Sequence, residues 1–176
     1  MEERDGPNPM MFKRLRKEMD QMAISTDEFI QLVPVNPDQW KLWRCCLRGP
    51  PGSAYDGYLF DIEITIKNDY PLEPPSMRFL TKIFHPNILF TTGEVCIDIL
   101  KKDWTPAWSL QSACRAILSI LAEPNPDSPL NCDAGNMLRA GDYVAFNNMA
   151  NMYCIEYAKS IPPHLNVDTT KTTVVA

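Results

Sequence analysis

Cys96 is the residue of this sequence with the best setting for nucleophilic chemistry. It lies in a segment from residue 85 to residue 108 that follows the last predicted strand and is rich in proline, asparagine and tryptophan. Loops this long in compact domains often carry function. A cysteine thiolate is a good nucleophile, and its thioesters stay reactive towards amines and thiols. The alternative is a small buried hydrophobic residue, which is the commoner role of cysteine.

The other five cysteines give less reason to expect chemistry. Cys45 and Cys46 fall in a strand pattern, Cys114 and Cys154 fall in helical patterns, and Cys132 stands near a loop and stays undecided. No two cysteines form a Cys-x-x-Cys pair and there are two histidines, so we expect no metal site and no cofactor. A chain of 176 residues can bury a core without disulfides, so we expect reduced thiols, as in the cytosol.

His85 is the histidine nearer to Cys96 in the sequence, and it allows two interpretations. A Cys–His pair would supply the nucleophile and the base of a cysteine hydrolase. The run His85-Pro86-Asn87 is also typical of a tight turn in which the imidazole bonds to the backbone, and we favour this second interpretation.

Charge and composition exclude some classes of function. The net charge of −5 and the isoelectric point of about 5.0 argue against nucleic acid as the main partner, because phosphate binding needs a basic surface. No apolar run reaches the ~18 residues that a membrane span needs. The first residues, Met-Glu-Glu-Arg-Asp, lack the apolar run of a signal peptide.

Apolar patterns predict the elements that position the segment around Cys96. A stripe at helical spacing predicts a first helix from Pro9 or Met10 to about Met22. Alternating apolar and polar residues predict strands with one buried face. Four strands are predicted, over Ile30–Val35, Trp40–Arg48, Tyr58–Lys67 and Met77–Leu80. Their short connections suggest an antiparallel meander.

Helical patterns return after Cys96. One stripe runs from Leu110 to Leu121 and ends before Pro124, and a second follows Asp142, which is a good N-cap. The order of a helix, four strands and further helices predicts an α+β fold. We expect a single domain over residues 9–160, between a flexible N-terminus at 1–8 and a flexible tail at 161–176.

Six motifs of this chain resemble, in the same order, the core of ubiquitin-conjugating enzymes. They are Gly49-Pro50-Pro51-Gly52, Tyr55-Asp56-Gly57, Tyr70-Pro71-Leu72-Glu73-Pro74-Pro75, His85-Pro86-Asn87 with a cysteine nine residues later, Trp104-Thr105-Pro106-Ala107, and Pro124-Asn125-Pro126-Asp127-Ser128-Pro129-Leu130. The resemblance extends over about residues 9–158. It implies the ubiquitin-conjugating fold and a cis peptide between Tyr70 and Pro71.

The resemblance implies roles for the residues around Cys96. Cys96 would accept ubiquitin from the ubiquitin-activating enzyme as a thioester. Asn87 matches an asparagine that stabilises negative charge on the thioester oxygen. The alternative role is that its side chain braces the loop through hydrogen bonds to the backbone, and both roles can coexist. Four residues would support this catalytic site, namely His85, Pro86, Asp127 and Ser128.

Ser128 departs from the pattern of many family members, which carry an acidic residue where the incoming lysine must lose its proton. A hydroxyl is a poor base, and a cysteine acceptor with a pKa of about 8.5 needs less help than a lysine at about 10.4. Ser128 would therefore suit a thiol acceptor, although we favour the alternative that Ser-Pro only makes a turn. The chain also has one more residue between Asn87 and Cys96 than many relatives, within Phe90–Gly93.

The resemblance also implies two surfaces that bind other proteins. The first helix and two loops would bind the activating enzyme and the ligases, through Lys13, Arg14, Arg16, Lys17, Leu72, Pro106 and Ala107. The helix from Leu110 to Leu121 would hold the donor ubiquitin, through Ser112, Arg115 and Ser119. A basic helix face by itself says little, because most such faces are only solvated.

The segments Ala107–Ser112 and Asp127–Asn136, with Gly141-Asp142, are similar to the peroxisomal members of the family. This implies a protein on the cytosolic face of the peroxisomal membrane, held by a membrane-anchored peroxin and not inserted itself. It would work with RING-type ubiquitin ligases of the peroxisome and modify import receptors on a cysteine, so that they are recycled. The rival hypotheses are a catalytically silent binding relative, against which Cys96 speaks, and a carrier of another ubiquitin-like modifier.

Overall fold

The computed structural model of the chain describes residues 8–25, 27–36 and 39–161, without the side chain of Gln39. The predicted flexible ends lie outside these ranges, except for Asn8 and Ile161. Asn8 is the N-cap of the first helix, and its side chain donates to the Asn68 carbonyl (3.1 Å). The Ile161 N–H donates to the Gly57 carbonyl (2.8 Å). Both residues therefore contact the folded chain.

The chain forms one helix, then a sheet and then further helices, in the predicted order. The helices are α1 (Pro9–Ile24), α2 (Leu110–Ala122), α3 (Cys132–Arg139) and α4 (Tyr143–Tyr157), with a 3-10 turn at Asp98–Leu100. The strands are β1 (Ile30–Asn36), β2 (Gln39–Arg48), β3 (Tyr58–Thr65), β4 (Ser76–Phe79) and β5 (Lys159–Ser160). None of the helices in the described ranges combines the length and apolar character of a membrane span.

The first four strands form an antiparallel meander in the order β1-β2-β3-β4, which confirms the predicted sheet. Along β3, Phe60, Ile62 and Ile64 are buried while the intervening residues face the wetter side. The two residues of β5 add a short pairing to the start of β3, which sequence patterns did not predict. The core joins the inner face of the sheet to α1, α2 and α4.

The helix boundaries follow from capping residues. Ser109 caps α2 and forms a reciprocal capping box with Ser112, and Asp142 caps α4 as predicted. The sequence analysis missed α3, a short helix capped by the buried Asn131. Gly135 of α3 lies against Pro129 so closely that a Cβ would stand 2.6 Å from the proline Cγ. The segment just before α3 therefore packs closely against this helix.

Candidate active site

Cys96 ends a short antiparallel pairing that begins at Asn87. Ile88 and Val95 form an isolated β-bridge, and both are buried. Beside them, the Cys96 N–H donates to the Asn87 carbonyl (3.0 Å). The backbones of two predicted site residues are therefore neighbours, although nine positions separate them in the chain.

The tip of this hairpin is Phe90–Gly93, the segment in which the extra residue is predicted to lie. Gly93 has a φ of +75°, and a Cβ there would stand 2.0 Å from the Phe79 carbonyl oxygen, so the turn requires glycine. Phe90 is 42% exposed and packs edge-on against Tyr153 of α4, with the ring centres 5.6 Å apart. The tip therefore rests on α4.

His85 is fully buried and bonds to the backbone on both sides of its ring. Nδ1 accepts the Asn87 N–H (3.0 Å) and Nε2 lies 2.8 Å from the Ile120 carbonyl, which assigns the ring hydrogen to Nε2. Burial lowers the pKa of His85 to about 4, so the ring is neutral at physiological pH. Because both nitrogens are engaged, this arrangement matches the turn interpretation and opposes a base for Cys96.

Asn87 and Pro86 fasten a second loop to the turn. The Asn87 side chain donates to the Asn125 carbonyl (2.9 Å) and accepts the Asn125 N–H (3.1 Å). The Pro86 carbonyl accepts the N–H groups of Leu130 and Asn131 (2.8 and 3.1 Å). The loop that carries Asp127 and Ser128 is thereby held beside the hairpin.

A groove of about 490 Å³ opens at Cys96, and its lining includes Asn87, Asp127 and Ser128. The structure therefore brings together the residues that the motifs assigned to the site. Asp127 and Ser128 are exposed, and the Asp127 N–H donates to Asn125 Oδ1 (2.9 Å). Ser128 has a φ of +52°, a left-handed conformation that strains a non-glycine residue by about 1–3 kcal/mol.

Lys101 is a site residue that the sequence analysis missed. Its Nζ donates to Cys96 Sγ (2.9 Å), because the 3-10 turn at Asp98–Leu100 brings the chain back towards the sulfur. This hydrogen bond and the charge of the sulfur as a thiolate raise the pKa of Lys101. The neighbouring Lys102 pairs instead with Asp98 (3.1 Å). The one sequence feature that could have pointed to Lys101 is its position five residues after the candidate nucleophile.

The predicted partner residues of α1 divide into two groups. Lys13, Arg16 and Lys17 are exposed, whereas the side chain of Arg14 is 23% exposed and turns inward. Its guanidinium donates to the carbonyls of Pro106 (2.6 Å) and Trp108 (2.7 Å). Arg14 therefore holds the predicted partner loop against α1.

Glu18 completes this connection from inside the protein. It is 3% exposed and accepts from Arg14 (2.5 Å), the Tyr70 hydroxyl (2.6 Å) and the Leu110 N–H (2.8 Å). A carboxylate at this place also complements the N-terminal end of α2. Burial, followed by the charge of Glu18, raises the pKa of Tyr70. One buried side chain thus joins α1, α2 and the Tyr70 loop.

The two predicted partner loops are exposed and joined to each other. Leu72 is 65% exposed, and Pro106 and Ala107 of the other loop are exposed as well. The Trp104 indole donates to the Pro71 carbonyl (2.9 Å). Both loops are therefore held in place while their tips remain open to partners.

The residues predicted to hold the donor ubiquitin all lie on α2, but they differ in availability. Arg115 and Ser119 are exposed, and Arg115 pairs with Asp27 (2.8 Å). Ser112 is half-buried, and its hydroxyl serves the capping box by accepting the Ser109 N–H (2.7 Å). Arg115 and Ser119 therefore offer the more accessible contacts.

The other cysteines have no comparable setting. Cys45, Cys114 and Cys154 are buried, and burial raises the pKa of Cys154 to about 12. Cys46 is half-buried on β2, and Cys132 is exposed at the first position of α3. Within the described ranges, no three histidine, cysteine or acidic side chains come close enough to hold a metal ion.

Known proteins agree with the motifs. The family model for "Ubiquitin-conjugating enzyme" matches residues 14–154. PEROXIN-4 of Arabidopsis thaliana is 49% identical over 143 residues, which are 81% of this chain and 89% of that protein. The ubiquitin-conjugating enzyme E2 pex4 of Dictyostelium discoideum is 44% identical over 143 residues, with coverages of 81% and 96%.

A solved structure agrees as well. The H. polymorpha ubiquitin conjugating enzyme Pex4p, crystallised with the soluble domain of Pex22p, superposes with a TM-score of 0.78 at 34% identity. The match covers 84% of this chain and 98% of that one. The family model, the relatives and the fold all lead to the same assignment, and the chain belongs to the ubiquitin-conjugating enzyme family.

Proposed function

We propose that this enzyme accepts ubiquitin from the activating enzyme as a thioester on Cys96 and passes it to import receptors of peroxisomes, so that they are recycled. The observation that carries the first part is the setting of Cys96, which lines a groove. The Cys96 N–H donates to the Asn87 carbonyl, and the Lys101 ammonium donates to Cys96 Sγ. The peroxisomal part rests on the relatives named PEROXIN-4 and pex4.

Loading begins when the Cys96 thiolate attacks the carbonyl carbon of ubiquitin held on the activating enzyme. The bond from that carbon to Sγ forms, and the bond to the activating enzyme's sulfur breaks and leaves the electron pair on that sulfur. Transfer repeats the exchange with the acceptor as nucleophile. Negative charge develops on the carbonyl oxygen, and the Asn87 amide has a second N–H, beyond the one bonded to Asn125, with which to stabilise it.

Loading of the unmodified enzyme tests this function. The chain is mixed with ubiquitin-activating enzyme, ubiquitin and ATP and run on gels with and without reductant. We expect one ubiquitin per chain, in an adduct that reductant removes. A folded protein that forms no adduct would favour the catalytically silent relative, and an adduct only with another ubiquitin-like modifier would favour that alternative.

The proposed acceptor is a cysteine thiol of the receptor, and a substitution at Ser128 decides between a role for Ser128 in this choice and a residue that only forms a turn. Its hydroxyl stands at the groove where an acidic residue would help a lysine to lose its proton. Ser128→Asp is compatible with the left-handed backbone, because Asp tolerates that conformation better than most residues. We expect it to increase discharge to lysine relative to cysteine about tenfold, which is less than the ~10²–10⁴-fold that a well-positioned base contributes. If the ratio stays unchanged, Ser128 has no part in the choice of acceptor.

We further propose that a membrane-anchored peroxin holds the enzyme at the peroxisomal membrane through α4. Val144, Met152 and Ile155 share one side of α4 and are 71%, 48% and 68% exposed. Exposed apolar patches of this kind mark protein interaction sites. Pex22p, whose soluble domain accompanies Pex4p of H. polymorpha in the solved complex, is the model for the partner.

Introducing a charged residue into this apolar patch tests the proposal that α4 binds the anchor. Ile155→Asp is expected to weaken binding of the anchor's soluble domain by about tenfold or more, because a carboxylate would be buried in an apolar contact. Leu72→Asp is a matched control, since Leu72 is similarly exposed but lies on one of the loops predicted to bind ligases. Calorimetry with the purified domains gives the affinity. Equal affinities for both variants would place the anchor elsewhere.

A further inference from the structure

The reacting sulfur has a positive charge beside it. Lys101 Nζ donates to Cys96 Sγ at 2.9 Å, and Lys101 is exposed beside the groove, whose lining includes the next residue, Lys102. Glu94 and Asp98 act on Lys101 from farther away and, like the contact with Sγ, raise its pKa, so Lys101 stays charged at neutral pH. An acceptor that attacks the Cys96 thioester must therefore approach a fixed cation.

We propose that Lys101 determines acceptor specificity, by favouring thiol acceptors over lysine in the transfer step. The inference rests on the proposed function, because it concerns the thioester on Cys96. The attacking atom must come within about 3–3.5 Å of the carbonyl carbon bonded to Sγ, and Nζ lies 2.9 Å from Sγ, so the charge of Lys101 acts on the approaching group. A lysine acceptor arrives as an ammonium and is repelled, whereas a cysteine arrives neutral or as a thiolate that Lys101 attracts.

The same ammonium serves the departing group. When the acceptor sulfur bonds to the carbonyl carbon, the bond to Sγ breaks, the electron pair stays on Sγ, and the proton of the acceptor thiol passes to water. Lys101 then faces the thiolate of Cys96 and stabilises it. This help is equal for thiol and amine acceptors, so discrimination arises from the approach and not from the leaving group.

The expected size of the effect is modest because the groove is open to water. Two like charges about 5 Å apart in water-like surroundings alter an encounter about fourfold, and attraction of a thiolate adds a smaller factor because only part of the thiol is ionised. We therefore expect Lys101 to contribute about four- to tenfold to the ratio of cysteine to lysine discharge. Salt would reduce this contribution, since the charges are exposed.

Single-turnover discharge of the loaded enzyme measures the ratio. The acceptors are cysteine and lysine with blocked amino and carboxyl groups, so that they differ only in their side chains. Lys101→Met is expected to lower the cysteine-to-lysine ratio by about four- to tenfold at low salt. Lys101→Arg keeps the charge, removes the amine as an acceptor, and should keep the ratio of the unmodified enzyme.

The matched control is Lys102→Met. Lys102 is the adjacent exposed lysine and lines the groove, but its charge is paired with Asp98 and does not contact Sγ. It should leave the ratio within about twofold of the starting value. An unchanged ratio in Lys101→Met, or an equal change in Lys102→Met, would overturn the inference. Loading is measured first on every protein. Failure of the unmodified enzyme to load refutes the proposed function, whereas normal loading with an unchanged ratio refutes the role of Lys101 alone.

Discussion

Cys96→Ala is expected to abolish the ubiquitin thioester while leaving the fold intact. The thiol at position 96 is half-buried at the rim of a groove, so its removal opens no cavity in the core. Cys96→Ser should instead collect ubiquitin as an ester that survives reductant, because an oxygen nucleophile can attack but its ester is less reactive. Gels with and without reductant separate the three outcomes, and circular dichroism checks the fold.

Cys132→Ala is the control for this experiment. Cys132 is the exposed cysteine among the other five and stands at the start of α3, so it is the alternative thiol most open to ubiquitin. We expect Cys132→Ala to load at the normal rate. A reductant-sensitive adduct that persists in Cys96→Ala and disappears in Cys132→Ala would move the nucleophile to α3.

Asn87→Ala is expected to slow discharge of the loaded enzyme by about 10²–10³-fold, the usual effect of losing one oxyanion donor. The same change removes both bonds to Asn125, and so lowers the free energy of unfolding by about 1–3 kcal/mol. Single-turnover discharge measures the first effect, and urea unfolding measures the second.

A second variant tests the donor role of Asn87 while keeping an acceptor for the Asn125 N–H. Asn87→Asp still has an oxygen to accept the Asn125 N–H, but an ionised carboxylate donates nothing and repels the developing oxyanion. It should therefore discharge as slowly as Asn87→Ala. A discharge rate within about threefold of the unmodified enzyme in both variants, together with reduced stability, would leave Asn87 as a brace without a part in the chemistry.

Apolar periodicity predicted the large elements because each buries one face. The alternation along Tyr58–Thr65 and the stripe from Leu110 to Leu121 both appear as buried faces in the fold. The α3 helix escaped because it is short, and its Gly135 and Asn136 are poor helix formers that the contact with Pro129 compensates. The two residues of β5 carry no periodic signal at all.

Charged residues were harder to place because spacing does not tell which of them turn inward. Glu18 stands three residues after Leu15 and seven after Met11, on the buried side of α1, and that spacing was a usable signal. Lys101 and Lys102 are adjacent, and only the 3-10 turn before them decides which one meets the sulfur. The motifs identified Cys96 as the candidate nucleophile. The contact of Lys101 with its sulfur depends on the three-dimensional structure, so the motifs could not predict it.

The bridge between Ile88 and Val95 has a consequence for how this enzyme family tolerates insertions. Because the hairpin is closed below its tip, extra residues at Phe90–Gly93 extend away from the paired ends, where Cys96 bonds to Asn87. Doubling the length of a flexible tip costs only about 0.6 kcal/mol in closure entropy. The tip is therefore a place where evolution, or an engineer who inserts a label, can alter the surface near Cys96 while the spacing between Cys96 and Asn87 is preserved.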